Sequence, residues 1–255
     1  MLIVDMDLHL DDHSVLVTAS SSGLGLATAK AFAREGAHVA ICARDEHRLA
    51  DAHEQVEAAG DGSVFSTTTD LTDKNAVEEL LNAVVAEFGG LDHLVTSAGR
   101  TQFGPFENLE TEDWYDAFDI LVMSAVWTID AARPHLDDSD AGTVVTITSA
   151  SVAEPMMNLT LSNAVRRSVL GLTKNLADDL APSIRVNSVL PYHHVSEEDL
   201  ADASEDAVEG WISDIPLNRV GDPNRLGDVC AFLSSDRANF IHGASIPLDG
   251  GWLRG

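Results

Sequence analysis

Lysine is nearly absent from this 255-residue chain: Lys30, Lys74 and Lys174 are the three, and arginine brings the basic total only to 15 against 42 aspartates and glutamates. The formal net charge of −27 excludes nucleic acid and anionic membranes as partners, because such a surface repels both at ordinary salt. Cysteine is equally scarce. Cys42 and Cys230 fall in an apolar strand pattern and an apolar helix pattern, which reads as two reduced core thiols and not as a disulfide framework. No run of about 18 apolar residues offers a membrane span, and no basic-then-apolar leader opens the chain. The expectation is a soluble, cytoplasmic protein. Tyrosine occurs only as Tyr115 and Tyr192, which limits where a phenolic acid can be found.

The acids that are present run through the whole chain and form no tail. At molar salt charges are screened within roughly 3 Å, and carboxylates keep a surface hydrated. The composition therefore predicts a halophilic protein whose stability rises with salt.

Short β-branched runs alternate with helical patterns. Residues 14–18, 39–43, 63–67, 93–96, 143–148, 184–190 and 244–248 read as strands, and 24–35, 46–59, 74–88, 111–132, 159–180 and 224–234 carry apolar residues at helical spacing. Such alternation requires parallel strands with helices on both faces. The predicted fold class is therefore α/β, a single-domain Rossmann-like doubly wound sheet of seven parallel strands. Residues 1–5 read as an N-terminal extension and 6–255 as one dinucleotide-binding domain. Residues 192–216 form no regular pattern and hold eight acids. At the carboxyl end of a strand such a segment stands over the ligand crevice, so it is predicted to be a lid.

Thr18-Ala19-Ser20-Ser21-Ser22-Gly23-Leu24-Gly25 lies between the first strand and the first helix. Small residues there let backbone N–H groups and the positive helix end approach a diphosphate. Arg44 follows the second strand, where arginine suits a 2′-phosphate, which favours NADP(H) over NAD(H), with Asp45 directly after it. The loop resembles the Thr-Gly-x-x-x-Gly-x-Gly of the short-chain dehydrogenase/reductase family, with Ala19 at the first glycine. Asp70-Leu71 resembles that family's adenine-contacting pair, and Thr96-Ser97-Ala98-Gly99 stands where the family has Asn-Asn-Ala-Gly. Residues 216–223, 232–236 and 248–251 resemble the branch containing 3-oxoacyl-carrier-protein reductases. The resemblance runs from Met6 to Gly255.

What the family uses for catalysis is only partly kept. In it a tyrosine gives a proton to a carbonyl that receives hydride from the nicotinamide; a lysine holds the ribose and lowers the tyrosine pKa. A serine binds the carbonyl, and an asparagine supports a relay water. The resemblance places the serine at Ser149, thirteen residues before Ser162, which stands at the tyrosine position. Arg166 stands for the lysine and Leu121 for the asparagine. Serine is a poor general acid near neutral pH, Arg166 is a permanent cation able to hold ribose hydroxyls, and Leu121 binds no water. Loss of a positioned acid forfeits about 10²–10⁴ in rate. Dienoyl-thioester reductases of the same family also carry serine at the tyrosine position, though they keep the lysine, so this departure alone does not exclude turnover.

The family's Pro-Gly after the sixth strand is Pro191-Tyr192 here. Tyr192 is either a relocated proton donor or a ring packed under the lid. His193 and His194 beside it lack the further partners a metal site needs. The resemblance thus implies an NAD(P)-dependent oxidoreductase, 3-oxoacyl reductase-like, with atypical or impaired catalysis, acting on a small carbonyl or acyl-thioester substrate. A cofactor-binding pseudoenzyme, serving as sensor or assembly protein, is the alternative. A homotetramer or homodimer is expected, since the two longest helical segments pair between subunits in this family.

Overall fold

The computed structural model describes residues 6–254, with the side chains of Glu197 and Glu198 excepted. The expected extension at residues 1–5 lies outside the described residues. The strands are β1 (Ser14–Val17), β2 (His38–Ala43), β3 (Val64–Thr68), β4 (His93–Thr96), β5 (Thr143–Ile147), β6 (Arg185–Pro191) and β7 (Ser245–Leu248). They form one seven-stranded sheet, parallel throughout, in the order β3-β2-β1-β4-β5-β6-β7. Between them run α1 (Gly23–Arg34), α2 (Glu46–Glu57), α3 (Lys74–Phe88), α4 (Thr111–Phe118), α5 (Ser124–Asp138), α6 (Thr160–Val165), α7 (Arg167–Asp179), α8 (Glu197–Asp202), α9 (Glu205–Ile212) and α10 (Pro223–Ser234).

Alternate strand residues enter two separate cores, as a period of two requires. Val15, Val17, Val39 and Ile41 pack with Phe32, Leu49 and Leu226 from α1, α2 and α10. Leu16, Ala40, Leu94 and Val144 pack on the other face with Leu80, Ile129 and Ala177 from α3, α5 and α7. The strand order reverses between β1 and β4, so the ligand crevice of such a sheet opens above their carboxyl ends. The loops that follow these two strands are tied together: Thr18 Oγ1 donates to Ser97 O at 2.7 Å and accepts from Ser97 N at 2.9 Å.

Three segments depart from the sequence expectation. The helix expected over 111–132 is broken by a π-turn at Asp119–Met123, between α4 and α5. Ser124 Oγ donates to Ile120 O and Thr128 Oγ1 to Ser124 O, and such back-bonding competes with the helical ladder and bends it. The helix expected over 159–180 divides at Arg166, where Val169 N bonds to the Arg166 carbonyl three residues back. The region 192–216 is not irregular. It holds α8 and α9, each N-capped by a serine: Ser196 accepts from Asp199 N and Ser204 from Ala207 N.

Candidate active site

The β1–α1 loop turns tightly from the strand into the helix. Ala19 sits at φ +48°, a left-handed conformation that glycine adopts freely and alanine does not. Gly25 comes so close to that turn that an added Cβ would lie 2.6 Å from Ala19 O. Gly23, at φ +57°, has nothing within 4 Å of a would-be side chain, so the loop is open on that side. The Ser22 hydroxyl makes no cap bond to α1 among the described residues, which leaves first-turn N–H groups of Gly23, Leu24 and Gly25 for an external anion. Ser20 is different. Its fully buried hydroxyl donates to Val17 O and accepts from Cys42 N, so the side chain braces β1 against β2.

Arg44 is exposed at the end of β2, with no carboxylate within ion-pair distance among the described residues. Asp45, which might have competed for that position, caps α2 by accepting from Arg48 N. Asp70 turns its carboxylate back onto Thr72, accepting from N at 3.0 Å and Oγ1 at 2.8 Å. The Thr72 amide, above all, holds its pKa below the usual carboxylate value. Leu71 beside it is buried. Ala98 and Gly99 leave β4 partly buried, and Ile120 from the π-turn stands where a Gly99 side chain would be.

Ser149 lies two residues beyond the end of β5 and caps a short 3-10 turn, its Oγ accepting from Ser151 N at 3.2 Å. That turn packs against α6, which carries Ser162. Arg166 Nε donates to Ser162 Oγ at 3.1 Å and its Nη2 to Gly99 O at 3.2 Å. The guanidinium therefore bridges α6 to the loop after β4. Burial pulls its pKa down to about 10, so it stays protonated at neutral pH. Leu121 is 2% exposed within an apolar cluster containing Leu161 and Val165. Thr18, Ala98, Leu121, Thr148 and Arg166 all line one small cavity.

Tyr192 is placed apart from that cavity. Its ring stacks on Trp252 at 4.3 Å and 9°, meets His193 edge-on, and packs with Ala150 and Ile215. Burial, with Asp214 nearby, raises its pKa. Of the two readings open for Tyr192, the geometry is that of a packed ring. Pro191 is buried at the end of β6. His194 lies over Gly221, where a side chain would meet the ring at 2.6 Å, and the segment is pinned by Gly221 N to His193 O and Val195 N to Gly221 O.

Sequence reasoning missed the clamp on the segment after Ser149. Asn163 on α6 accepts from Met156 N and donates to Met156 O at 2.7 Å, while Arg167 Nε donates to Val152 O at 2.6 Å. Nothing in the spacing of these residues marks them, because the segment they hold is irregular.

The fold and the paired loops are those of a nicotinamide-type α/β enzyme family, and comparison with known proteins defines it. Residues 18–253 match the family model described as enoyl-(acyl carrier protein) reductase. A 3-oxoacyl-[acyl-carrier-protein] reductase of Staphylococcus aureus is 33% identical over 241 residues, 93% of this chain and 97% of that protein. A 2,5-dichloro-2,5-cyclohexadiene-1,4-diol dehydrogenase of Sphingobium indicum is 32% identical, over 94% of this chain and 96% of that protein. L-sorbose reductase from Gluconobacter frateurii, solved with NADPH and L-sorbose, superposes with a TM-score of 0.92 at 26% identity, covering 98% of this chain and 100% of that one. An NADPH-bound short-chain oxidoreductase of Pseudomonas aeruginosa, described as containing an atypical catalytic center, gives 0.90 at 28% identity, covering 96% and 98%. The chain belongs to the short-chain dehydrogenase/reductase family.

Among the described residues no helix is long and apolar enough to cross a membrane.

Proposed function

We propose that this protein is an NAD(P)-dependent oxidoreductase, 3-oxoacyl reductase-like, whose proton-transfer machinery is altered. The observation that supports the reading is the bond from Arg166 Nε to Ser162 Oγ, a cation and a hydroxyl in contact where, by resemblance, the family has lysine and tyrosine. The cofactor supplies hydride when bound. The first-turn amides of α1 receive its diphosphate, Arg44 a 2′-phosphate, and Arg166 a ribose hydroxyl. Ser149 and Ser162 keep their O–H hydrogens free to donate, because each oxygen accepts its one side-chain bond. They polarise a substrate carbonyl without ready loss of a proton at neutral pH, so reduction is slow for want of an acid. The structural relative of Pseudomonas aeruginosa with NADPH and an atypical catalytic center supports cofactor binding alongside an altered site.

The second reading is a cofactor-binding protein without turnover, a sensor or assembly partner. The buried, water-excluding Leu121 favours it. Titration with NADPH and NADH followed by single-turnover reduction of a 3-oxoacyl thioester separates the two: binding with slow hydride transfer supports the oxidoreductase, and binding without any transfer supports the sensor.

The reading extends to the rest of the molecule. Residues 192–216 act as a lid through α8 and α9. The exposed Tyr115 and Phe118 of α4 are covered in a homotetramer or homodimer. The −27 charge is carried in a cytoplasm of high salt.

A further inference from the structure

Asn163 stands directly after Ser162 on α6 and holds both polar groups of one main-chain residue in the segment after Ser149. Its Oδ1 accepts from Met156 N at 3.2 Å and its Nδ2 donates to Met156 O at 2.7 Å. A primary amide carries an acceptor and a donor side by side, so it pairs with the backbone as a neighbouring strand would. The Met156 amide has no other acceptor among the described residues. Arg167, one turn further along, holds the start of the same segment through Val152 O and Ala153 O. Its far end is tied to the loop after β4, where Gly104 N donates to Asn158 O at 2.8 Å.

What this clamp presents is a packing surface. Met156 packs against the buried cluster of Ala150, Tyr192 and Ile215. Ala150 opens the turn that Ser149 caps, while Tyr192 and Ile215 lie at the two ends of residues 192–216. Between those ends the support is thin: no residue from Ser196 to Asp214 is fully buried, among the described residues. A segment with a packed base and an unburied body opens locally at low cost. Its closed position is then set by what the base rests on.

We propose that Asn163 is a positioning residue: by fixing the Met156 main chain it presents the Met156 side chain as the seat on which the lid of residues 192–216 closes. One turn of α6 thus carries the Ser162 hydroxyl and the amide that governs access to it. The inference rests on the reading of residues 192–216 as a lid, and only its consequence for turnover rests on the oxidoreductase reading.

Hydrogen exchange of the full chain at molar KCl tests the proposal. Asn163→Leu keeps the size of the side chain and removes both bonds to Met156. The lid amides of Val208, Ser213 and Ile215 should then exchange roughly tenfold faster, the equivalent of about one net hydrogen bond, with Leu94 unchanged as a check on the fold. Met156→Ala leaves the clamp and removes the seat, so it should release the same lid amides while the Gly104 amide stays as in wild type. Because Asn163 acts through Met156, the double variant should exchange no faster at the lid than the faster single variant. In the Ser162→Tyr/Arg166→Lys background, Asn163→Leu should raise KM for a 3-oxoacyl thioester severalfold and leave kcat and NADPH affinity nearly unchanged. Lack of turnover in that background, with the exchange pattern as expected, would strike the oxidoreductase reading and support the seat. Lid amides unmoved by Asn163→Leu, or additive acceleration in the double variant, would overturn the proposal. So would wild-type lid amides as protected as Leu94, which would remove the lid itself.

Discussion

Arg166 reaches back one helical turn to donate from Nε to Ser162 Oγ at 3.1 Å, and the same guanidinium holds Gly99 O at 3.2 Å. Its fork geometry makes this double attachment possible, whereas a lysine ammonium is a point charge on a flexible stem. Arg166→Lys is therefore expected to loosen the loop after β4 as well as the Ser162 contact. Hydrogen exchange of the Ala98 and Gly99 amides should speed up in this variant, while core amides such as Leu94 remain protected. Unchanged exchange at residues 98–99 would show that the bridge carries no structural load.

Among the described residues Arg44 has no ion-pair partner, and Asp45 is committed to the α2 cap. Arg44→Ala should weaken NADPH by roughly 10- to 100-fold, since hydrogen bonds to charged groups contribute about 1.5–3 kcal/mol, and should barely alter NADH. Fluorescence titration with each cofactor reads the ratio. Equal losses for both would make Arg44 a solvated surface charge.

Leu121 lies in an apolar cluster at 2% exposure. Restoring the family's asparagine there, Leu121→Asn, is expected to cost about 2–4 kcal/mol, the sum of lost apolar burial and an amide short of partners. Denaturant unfolding at molar salt measures it. A neutral substitution would mean that the cavity beside Leu121 already admits water to this position.

His93 is fully buried, with Nε2 against His13 Nδ1 at 2.9 Å and Nδ1 against Thr143 Oγ1 at 2.8 Å. Burial first, then His13, pushes its pKa down to about 3 from the ordinary 6.5. The unfolded chain therefore binds a proton that the folded one refuses, and stability present above pH 6.5 is lost progressively as pH falls towards 3. Asp92 next to it has a lowered pKa, so its contribution is lost only below the ordinary carboxylate value of 3.8 and does not mask the histidine window. Melting temperature at molar salt should fall between pH 7 and pH 5, and His93→Phe should shallow that slope. An unaltered slope in the variant would place the dependence on other groups, His193 and His194 among them.

With −27 charges on one chain, self-repulsion destabilises the compact state when unscreened. Melting temperature should rise from dilute buffer to molar KCl. A flat or falling trend would remove the halophilic reading.

Strand–helix alternation is legible because parallel strands buried on both faces leave unbroken β-branched runs, as in Thr143–Ile147. Ser149, Ser162 and Arg166 were singled out through the resemblance to the family motif, and the structure brings Ser162 and Arg166 into hydrogen-bond contact. What was not legible depends on contacts distant in sequence. The stacking of Tyr192 on Trp252 joins residues brought together only by β6 and β7. The break at Arg166 and the π-turn at Asp119–Met123 interrupt patterns whose apolar periodicity continues unbroken. The left-handed turn at Ala19 is fixed by the approach of Gly25, which no local preference of alanine announces. The serines that cap α8 and α9 were present as Ser196 and Ser204, but the density of acids around them obscured two short helices.

The central claim is that cofactor binding survives while the proton donor is missing. Its most direct test is the rate of NADPH-dependent reduction of a 3-oxoacyl thioester at molar KCl, comparing wild type with Ser162→Tyr/Arg166→Lys at saturating cofactor. The account predicts that the double variant is faster by about 10² or more, the usual contribution of a positioned acid. A wild-type rate equal to or above that of the variant, with both binding NADPH, would contradict it.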